Sequence, residues 1–88
     1  MIVLFERKFL KNIDDLEDKD LKSHLEQIII GLEKAKNLRQ IGNLKKLKGH
    51  KSAYRIRIGE YRLGFFFENQ KVVLTCLLHR KDVYKYFP

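Results

Sequence analysis

The stretch YRIRIGEYRLGFFF, residues 54–67, constrains the fold more than any other part of the chain. Aromatic or aliphatic side chains occupy every second position on both sides of Gly59-Glu60, and this alternation is typical of strands with one buried face. A Gly-X pair between two such runs is the signature of a short hairpin loop of type II′. The sequence therefore predicts a tight hairpin of two antiparallel strands, 52–58 and 61–67.

The loop length also determines which residues lie opposite one another. The predicted register places Arg57 opposite Arg62 and Arg55 opposite Gly64, so one side of the hairpin, here called the arginine face, carries all three arginines. Like charges directly opposite destabilise a sheet, and such conflicts tend to mark functional sites. We therefore predict that Arg57 and Arg62 hold an anion, with ion pairs to acids on the helices as the alternative. Gly64 is expected to leave open space for a substrate.

A third strand is predicted over residues 71–79, after a second short hairpin loop at Asn69-Gln70. Continuing the alternation along this strand assigns four side chains to the buried face: Val72, Leu74, Cys76 and Leu78. His79 then falls on the arginine face, and Arg80 follows it directly. His79 is predicted either to exchange a proton near neutral pH or to make only a structural hydrogen bond.

The N-terminal half predicts one strand and a helical hairpin. MIVLF is a short apolar run, and residues at helical spacing follow it twice: Phe9, Ile13 and Leu16, then Leu21, Leu25, Ile28, Leu32 and Ala35. Asp18 or Asp20 can cap the second helix. Residues 37–51 are predicted to be a basic connector, and residues 1–88 a single domain.

Positive charge is concentrated in the middle of the chain. The net charge is +8, and the segment from Lys34 to Arg62 holds ten Lys or Arg and a single acid, Glu60. Such a basic segment indicates a polyanionic partner, either a nucleic acid, an acidic protein or an anionic membrane, with a merely solvated face as the alternative.

The cysteine and histidine content further restricts which classes of protein this chain can belong to. The single cysteine, Cys76, excludes a disulfide within the chain, which suits a reducing cytoplasm. Cys76 and the three histidines lack the spacing of metal ligands, so neither a metal nor another cofactor is predicted. The N-terminal apolar run is too short for a signal peptide or a membrane span, and we expect no membrane partner.

Four features of the C-terminal half occur together: the Tyr-Arg-Ile-Arg strand, the Gly-Glu-Tyr-Arg turn, the three-strand meander and the closing HRKDVY. With the preceding LKKLKG, these residues resemble the RelE/ParE toxin superfamily of toxin–antitoxin systems. The order of the predicted N-terminal strand and helices fits as well. The resemblance implies an α+β fold, with the N-terminal strand and helical hairpin packed on a curved antiparallel β-sheet.

The resemblance also implies two possible activities. RelE-like members are ribosome-dependent ribonucleases that cut mRNA in the ribosomal A site, whereas ParE-like members inhibit DNA gyrase. Matching the RelE-like pattern position by position implies catalytic roles for basic residues and a C-terminal tyrosine, here Arg57, Arg62, Arg80 and Tyr84, with Tyr86 as the alternative tyrosine. The best-studied RelE pattern has lysines where this chain has Arg55 and Arg57, and arginine effectively cannot exchange a proton. His79 or Tyr84 is therefore expected to do so.

The resulting hypothesis is a toxin that cleaves mRNA without metal. The RNA 2′-OH would attack the adjacent phosphate, leaving a 2′,3′-cyclic phosphate and a 5′-OH. RNA contacts are predicted for Arg55 and for the connector lysines, Lys45, Lys46, Lys48 and Lys51. The expected partners are a cognate antitoxin, the ribosome with its RNA, and mRNA. A gyrase inhibitor of the ParE kind and a plain RNA-binding module are the alternatives.

Overall fold

A five-stranded sheet forms the centre of the protein, whose computed structural model describes residues 1–88. The elements in chain order are β1 (Ile2–Phe5), α1 (Arg7–Asp14), α2 (Lys19–Lys34), a 3-10 helix (Leu38–Gln40), β2 (Leu44–Lys46), β3 (Ala53–Ile58), β4 (Tyr61–Glu68), β5 (Lys71–His79) and α3 (Val83–Tyr86). The strand order is β1-β5-β4-β3-β2. β2 to β5 pair antiparallel, and β1 adds a parallel edge beside β5. The predicted α+β class is confirmed.

The helical hairpin covers one face of the sheet. The Asp18 side chain accepts a hydrogen bond from the Leu21 N–H (3.1 Å) and so caps α2. Leu21, Leu25 and Leu32 of α2 and Phe9 of α1 are buried, as the helical spacing predicts. The sheet adds seven buried side chains to this core: Ile56, Ile58, Leu63, Phe65, Val72, Leu74 and Leu77. No helix of the protein has both the length and the apolar character that crossing a membrane requires.

Both predicted hairpin loops are present. Gly59 has φ +58°, whereas Glu60 has no positive φ, as a type II′ turn requires. Asn69 (φ +53°) and Gln70 (φ +64°) both have positive φ, which is the type I′ pattern. The short loop after β3 produces the predicted register, so the expected pairing of the hairpin strands is confirmed.

The predicted connector contains a further strand. Lys45 of β2 lies opposite Arg55, and Lys46 lies opposite Tyr54. Because neighbouring residues of a strand point to opposite faces, Lys45 is on the arginine face and Lys46 is on the helix side. A three-residue strand carries too little alternation to be recognised in the sequence.

A β-bulge interrupts the pairing of β4 with β5. Gly64 lies opposite Cys76, but the next residue, Phe65, lies opposite Leu74, so Thr75 is the extra residue. The Thr75 hydroxyl lies within hydrogen-bonding distance of two acceptors, the Val73 carbonyl oxygen (3.1 Å) and the Glu6 carboxylate (3.3 Å). The bulge therefore has one local contact and one contact with a residue far away in the sequence.

The faces of β5 exchange at this bulge, because one extra residue reverses the alternation. Leu77 lies opposite Leu63 in the helix-side core, whereas Cys76 and Leu78 move to the arginine face. His79 lies opposite Tyr61 on the helix side. The faces predicted for Cys76, Leu78 and His79 are therefore wrong.

A second, smaller core lies on the arginine face, where α3 and the residues after it pack against the sheet. Its buried members are Leu47, Ala53, Cys76, Val83 and Phe87. Phe87 occupies the space above Gly64, since a Cβ at Gly64 would lie 2.8 Å from Phe87 Cδ2 and 2.9 Å from Cys76 Sγ. The prediction of open space at Gly64 is therefore wrong. Burial raises the pKa of the Cys76 thiol, which fits a small buried apolar residue.

Gly64→Ala is expected to lower the free energy of unfolding by about 1–3 kcal/mol, because the added methyl group overlaps Phe87 and Cys76. Urea denaturation measures this change. Gly31→Ala is the matched control: Gly31 lies in α2 with nothing within 4 Å of an added Cβ. The free energy of unfolding of that variant should rise by about 0.4–1 kcal/mol. Equal stability of Gly64→Ala and wild type would mean that Phe87 does not pack over the sheet.

Candidate active site

Three adjacent strands bring basic side chains together on the arginine face. Arg57 of β3 lies opposite Arg62 of β4. Arg55 lies opposite Gly64 on one side and opposite Lys45 of β2 on the other. The like-charge pair that the sequence predicts is thus present, and a lysine from β2 extends it.

Arg62 is held against the turn between β3 and β4. Its Nη1 donates hydrogen bonds to the carbonyl oxygens of Gly59 (2.8 Å) and Tyr61 (2.9 Å). Desolvation lowers the pKa of the Arg62 guanidinium, and three positive neighbours lower it further: Arg55, Arg57 and Arg80. Tyr84 acts on that pKa in the opposite direction. A bound anion would relieve the repulsion that these positive neighbours exert on Arg62.

None of the three arginines on the strands forms an ion pair, so pairing with acids on the helices does not occur. The Nε of Arg55 is buried without a hydrogen-bond partner, which is costly unless a ligand supplies one. Arg80 pairs with an acid in the turn: its Nε lies 2.7 Å from Glu60 Oε2, and its backbone N–H donates to the Glu60 carbonyl oxygen (2.8 Å). These contacts hold Arg80 at the end of the hairpin.

Tyr84 and Tyr86 are both exposed on α3, at 69% and 61%. Residues two positions apart on a helix do not share a face. Tyr84 lines the cleft beside β2 and influences the Arg62 guanidinium, whereas Tyr86 does neither. Of the two tyrosines, Tyr84 is therefore the one that shares the cleft with Lys45, which lies opposite Arg55.

His79 lies away from the arginine face. Its ring packs edge to face on Tyr61, with 5.5 Å between the ring centroids. Its Nδ1 accepts a hydrogen bond from the Lys81 N–H (3.2 Å). The structural hydrogen bond considered for His79 is therefore observed.

A cleft of about 400 Å³ lies between the β2–β3 loop and the C-terminal residues. Its lining consists of Lys45, Leu47, Lys48, His50, Tyr84, Phe87 and Pro88. Of the four predicted lysines, Lys45 and Lys48 line this cleft. Lys46 and Lys51 line a neighbouring groove, which Lys48 and His50 also line. His50 was not among the predicted site residues; its position in the basic run KGHK is the signal for it. No group of three His, Cys, Asp or Glu side chains could hold a metal ion.

The fold is that of small α+β toxins from toxin–antitoxin systems. The RelB–RelE antitoxin–toxin complex of Methanococcus jannaschii matches with a TM-score of 0.82 and 30% sequence identity, covering 97% of this chain and 99% of that chain. The intact E. coli RelBE complex matches with a TM-score of 0.70 at 18% identity, covering 89% of this chain and 94% of that one. At that identity the second match shows the fold alone.

The sequence identifies the family. The chain is 34% identical over 93 aligned positions to toxin RelE3 of Methanocaldococcus jannaschii, and the alignment covers 100% of both chains. No family model matches the chain. The chain belongs to the RelE toxin superfamily.

Proposed function

We propose that the protein is the toxin of a toxin–antitoxin pair, and that it cleaves mRNA on the ribosome in the cytoplasm. The observation that carries this proposal is the Arg57–Arg62 pair, two arginines that lie directly opposite each other across β3 and β4, neither of which forms an ion pair with an acid. An RNA phosphate matches such a pair in charge and in hydrogen-bonding geometry. The relatives are of the RelE kind, which disfavours a gyrase inhibitor of the ParE kind.

The proposed reaction is attack of the RNA 2′-OH on the adjacent phosphate. The bond from the 2′ oxygen to phosphorus forms as the bond to the 5′ oxygen breaks, which leaves a 2′,3′-cyclic phosphate and a 5′-OH. Arg57 and Arg62 stabilise the charge that develops on the phosphate, and Arg80, whose charge is shared with Glu60, assists them from the end of the hairpin. The 2′-OH proton passes to solvent, and the Tyr84 hydroxyl donates a proton to the departing 5′ oxygen.

Purified protein on programmed ribosomes tests this reaction directly. We expect cleavage of mRNA in the ribosomal A site, with a 5′-OH on the downstream fragment. A gyrase supercoiling assay run beside it should show no inhibition. Inhibition of gyrase without cleavage would support the ParE alternative. RNA binding without either activity would support the alternative of a plain RNA-binding module.

The proposed partner is an antitoxin with an acidic or amphipathic segment that covers the basic site. This proposal is supported by the matching RelB–RelE complexes, in which a toxin of the same fold is bound to its antitoxin. Expression of the protein alone is expected to stop growth, and co-expression with the product of a neighbouring small gene should restore it. Normal growth during strong expression of folded protein would contradict the toxin proposal.

Lys45→Ala and Lys46→Ala form a matched pair, because adjacent residues of β2 lie on opposite faces. Lys45→Ala should weaken ribosome binding and lower its salt slope by about 1, since one phosphate contact is lost. Lys46→Ala should weaken binding only modestly. Cleavage rates at subsaturating and saturating ribosome concentrations, measured across a salt series, separate binding from chemistry. Equal losses of ribosome binding in the two variants would contradict the proposal that RNA binds on the arginine face.

A further inference from the structure

The cleft beside the arginine cluster has the character of a nucleotide site. Its polar wall is formed by Lys45, Lys48 and His50, and its lining contains no acid. Leu47 and Phe87, both buried, supply an apolar floor. A volume of about 400 Å³ lies within the range of sites for small organic ligands. Positive charge above a flat apolar floor suits a ligand that has both a phosphate and a planar ring.

The β2–β3 loop holds His50 beside the cleft. The Leu47 N–H donates to the Ala53 carbonyl oxygen (2.9 Å), which closes the loop at its base. Gly49 has φ +80°, a left-handed conformation that turns the chain just before His50. His50 is exposed, and no hydrogen bond within the protein engages its ring. Its imidazole is therefore free to donate to or accept from a ligand.

The cleft adjoins the proposed reacting centre. Lys45, on its wall, lies opposite Arg55, and Phe87, on its floor, packs over Gly64, which lies opposite Arg55 on the next strand. A ligand in the cleft would therefore lie next to a phosphate held by the arginines. A continuous RNA strand meets both requirements, since each of its nucleotides follows the previous phosphate directly.

We propose that this cleft binds the nucleotide adjoining the scissile phosphate and that His50 determines which base is accepted. Lys45 and Lys48 contact its phosphate, the base lies over Leu47 and Phe87, and His50 hydrogen-bonds to the base edge. This site rests on the proposed RNA cleavage and adds base selection to it. His50 is a specificity-determining residue here, because it contacts the neighbouring nucleotide and not the reacting atoms.

The test is binding of 2′-O-methyl dinucleotides, which cannot be cleaved, to the full chain without ribosomes. NMR titrations with four probes that differ in one base should shift the ring resonances of His50 and Tyr84. The ring of His24, an exposed residue of α2 outside the cleft, is the internal reference and should not shift. His50→Ala should weaken the preferred dinucleotide about five-fold and bring the four affinities close together. Its affinity for inorganic phosphate should not change.

His24→Ala is the matched control, because it also removes an exposed histidine, and His24 lies on α2 outside the cleft. It should keep the base preference of the wild type, and melting curves would verify that every variant is folded. Unchanged base preference in His50→Ala, or equal shifts from dinucleotide and inorganic phosphate, would overturn the proposal. The binding assay involves no cleavage, so it is independent of the ribosome assay. If either of these two results were obtained while the protein still cleaved mRNA on ribosomes, base selection by His50 would be refuted and the proposed function would stand. Absence of cleavage on ribosomes would instead refute the proposed function.

Discussion

Arg62→Ala is expected to reduce mRNA cleavage by about a hundred- to thousand-fold, the usual loss when a donor that stabilises transition-state charge is removed. Arg62 lies opposite Arg57, and no acid pairs with either side chain. Desolvation and the neighbouring guanidiniums lower the pKa of Arg62, and a bound anion would offset the repulsion from those neighbours. Single-turnover cleavage on programmed ribosomes measures the effect on the chemical step.

The same substitution should leave the fold intact. It removes two hydrogen bonds to the turn, from Arg62 Nη1 to the carbonyl oxygens of Gly59 and Tyr61. It also removes a like-charge pair across the strands, which offsets that loss. Thermal melting should show an unchanged or slightly higher midpoint. Arg39→Ala, which removes an exposed arginine from the 3-10 helix, controls for the loss of one charge and should retain full cleavage.

Two outcomes would contradict the role of Arg62. Cleavage by Arg62→Ala at the wild-type rate would mean that the scissile phosphate binds elsewhere. Loss of cleavage together with a large drop in the melting midpoint would mean that Arg62 supports the β3–β4 turn and not the reaction.

Tyr84→Phe is expected to slow cleavage by about 10²- to 10⁴-fold, the range for loss of a general acid. Tyr84 is 69% exposed, so replacing its hydroxyl should not change stability. Tyr86→Phe, on the same helix but outside the cleft, should cleave normally. His79→Asn should change the rate only a few-fold, because His79 lies opposite Tyr61 on the helix side.

A substrate with sulfur in place of the departing 5′ oxygen identifies the step in which Tyr84 acts. A thiolate leaves without a proton, so the Tyr84→Phe defect should largely disappear with that substrate. The Arg62→Ala defect should persist, since the charge on the phosphate still develops. A Tyr84→Phe defect of the same size with both substrates would show that Tyr84 positions the RNA and does not donate a proton.

The alternation in residues 54–67 and the loop at Gly59-Glu60 were enough to predict the arginine face. These are local signals, because a short hairpin loop determines the register and the register determines the faces. The Arg57–Arg62 pair therefore follows from the sequence. The helical hairpin follows in the same way, because the apolar spacing and the Asp18 cap act within a few residues.

The second half of the site depends on contacts between distant residues. The bulge at Thr75 contacts Glu6, and the N–H of Leu77 donates to the side-chain oxygen of Asn12 (3.2 Å) in α1. Neither contact leaves a periodic signal in residues 71–79, so the alternation alone assigned His79 to the wrong face. A strand continues its alternation only while the pairing is regular, and here residues 65 and 69 positions away contact the segment in which that regularity ends.

The cleft is likewise a product of the tertiary structure. Tyr84 lines the cleft because Val83 and Phe87 on either side of it are buried on the sheet, and Phe87 packs there because Gly64 has no side chain. The pairing of β2 with β3 separates Lys45, in the cleft, from Lys46, in the neighbouring groove, whereas Lys48 in the loop after β2 lines both. The sequence determined which residue types the site contains. Packing across the sheet decided which of them meet, because residues far apart in the chain share a surface only after the sheet and α3 have assembled.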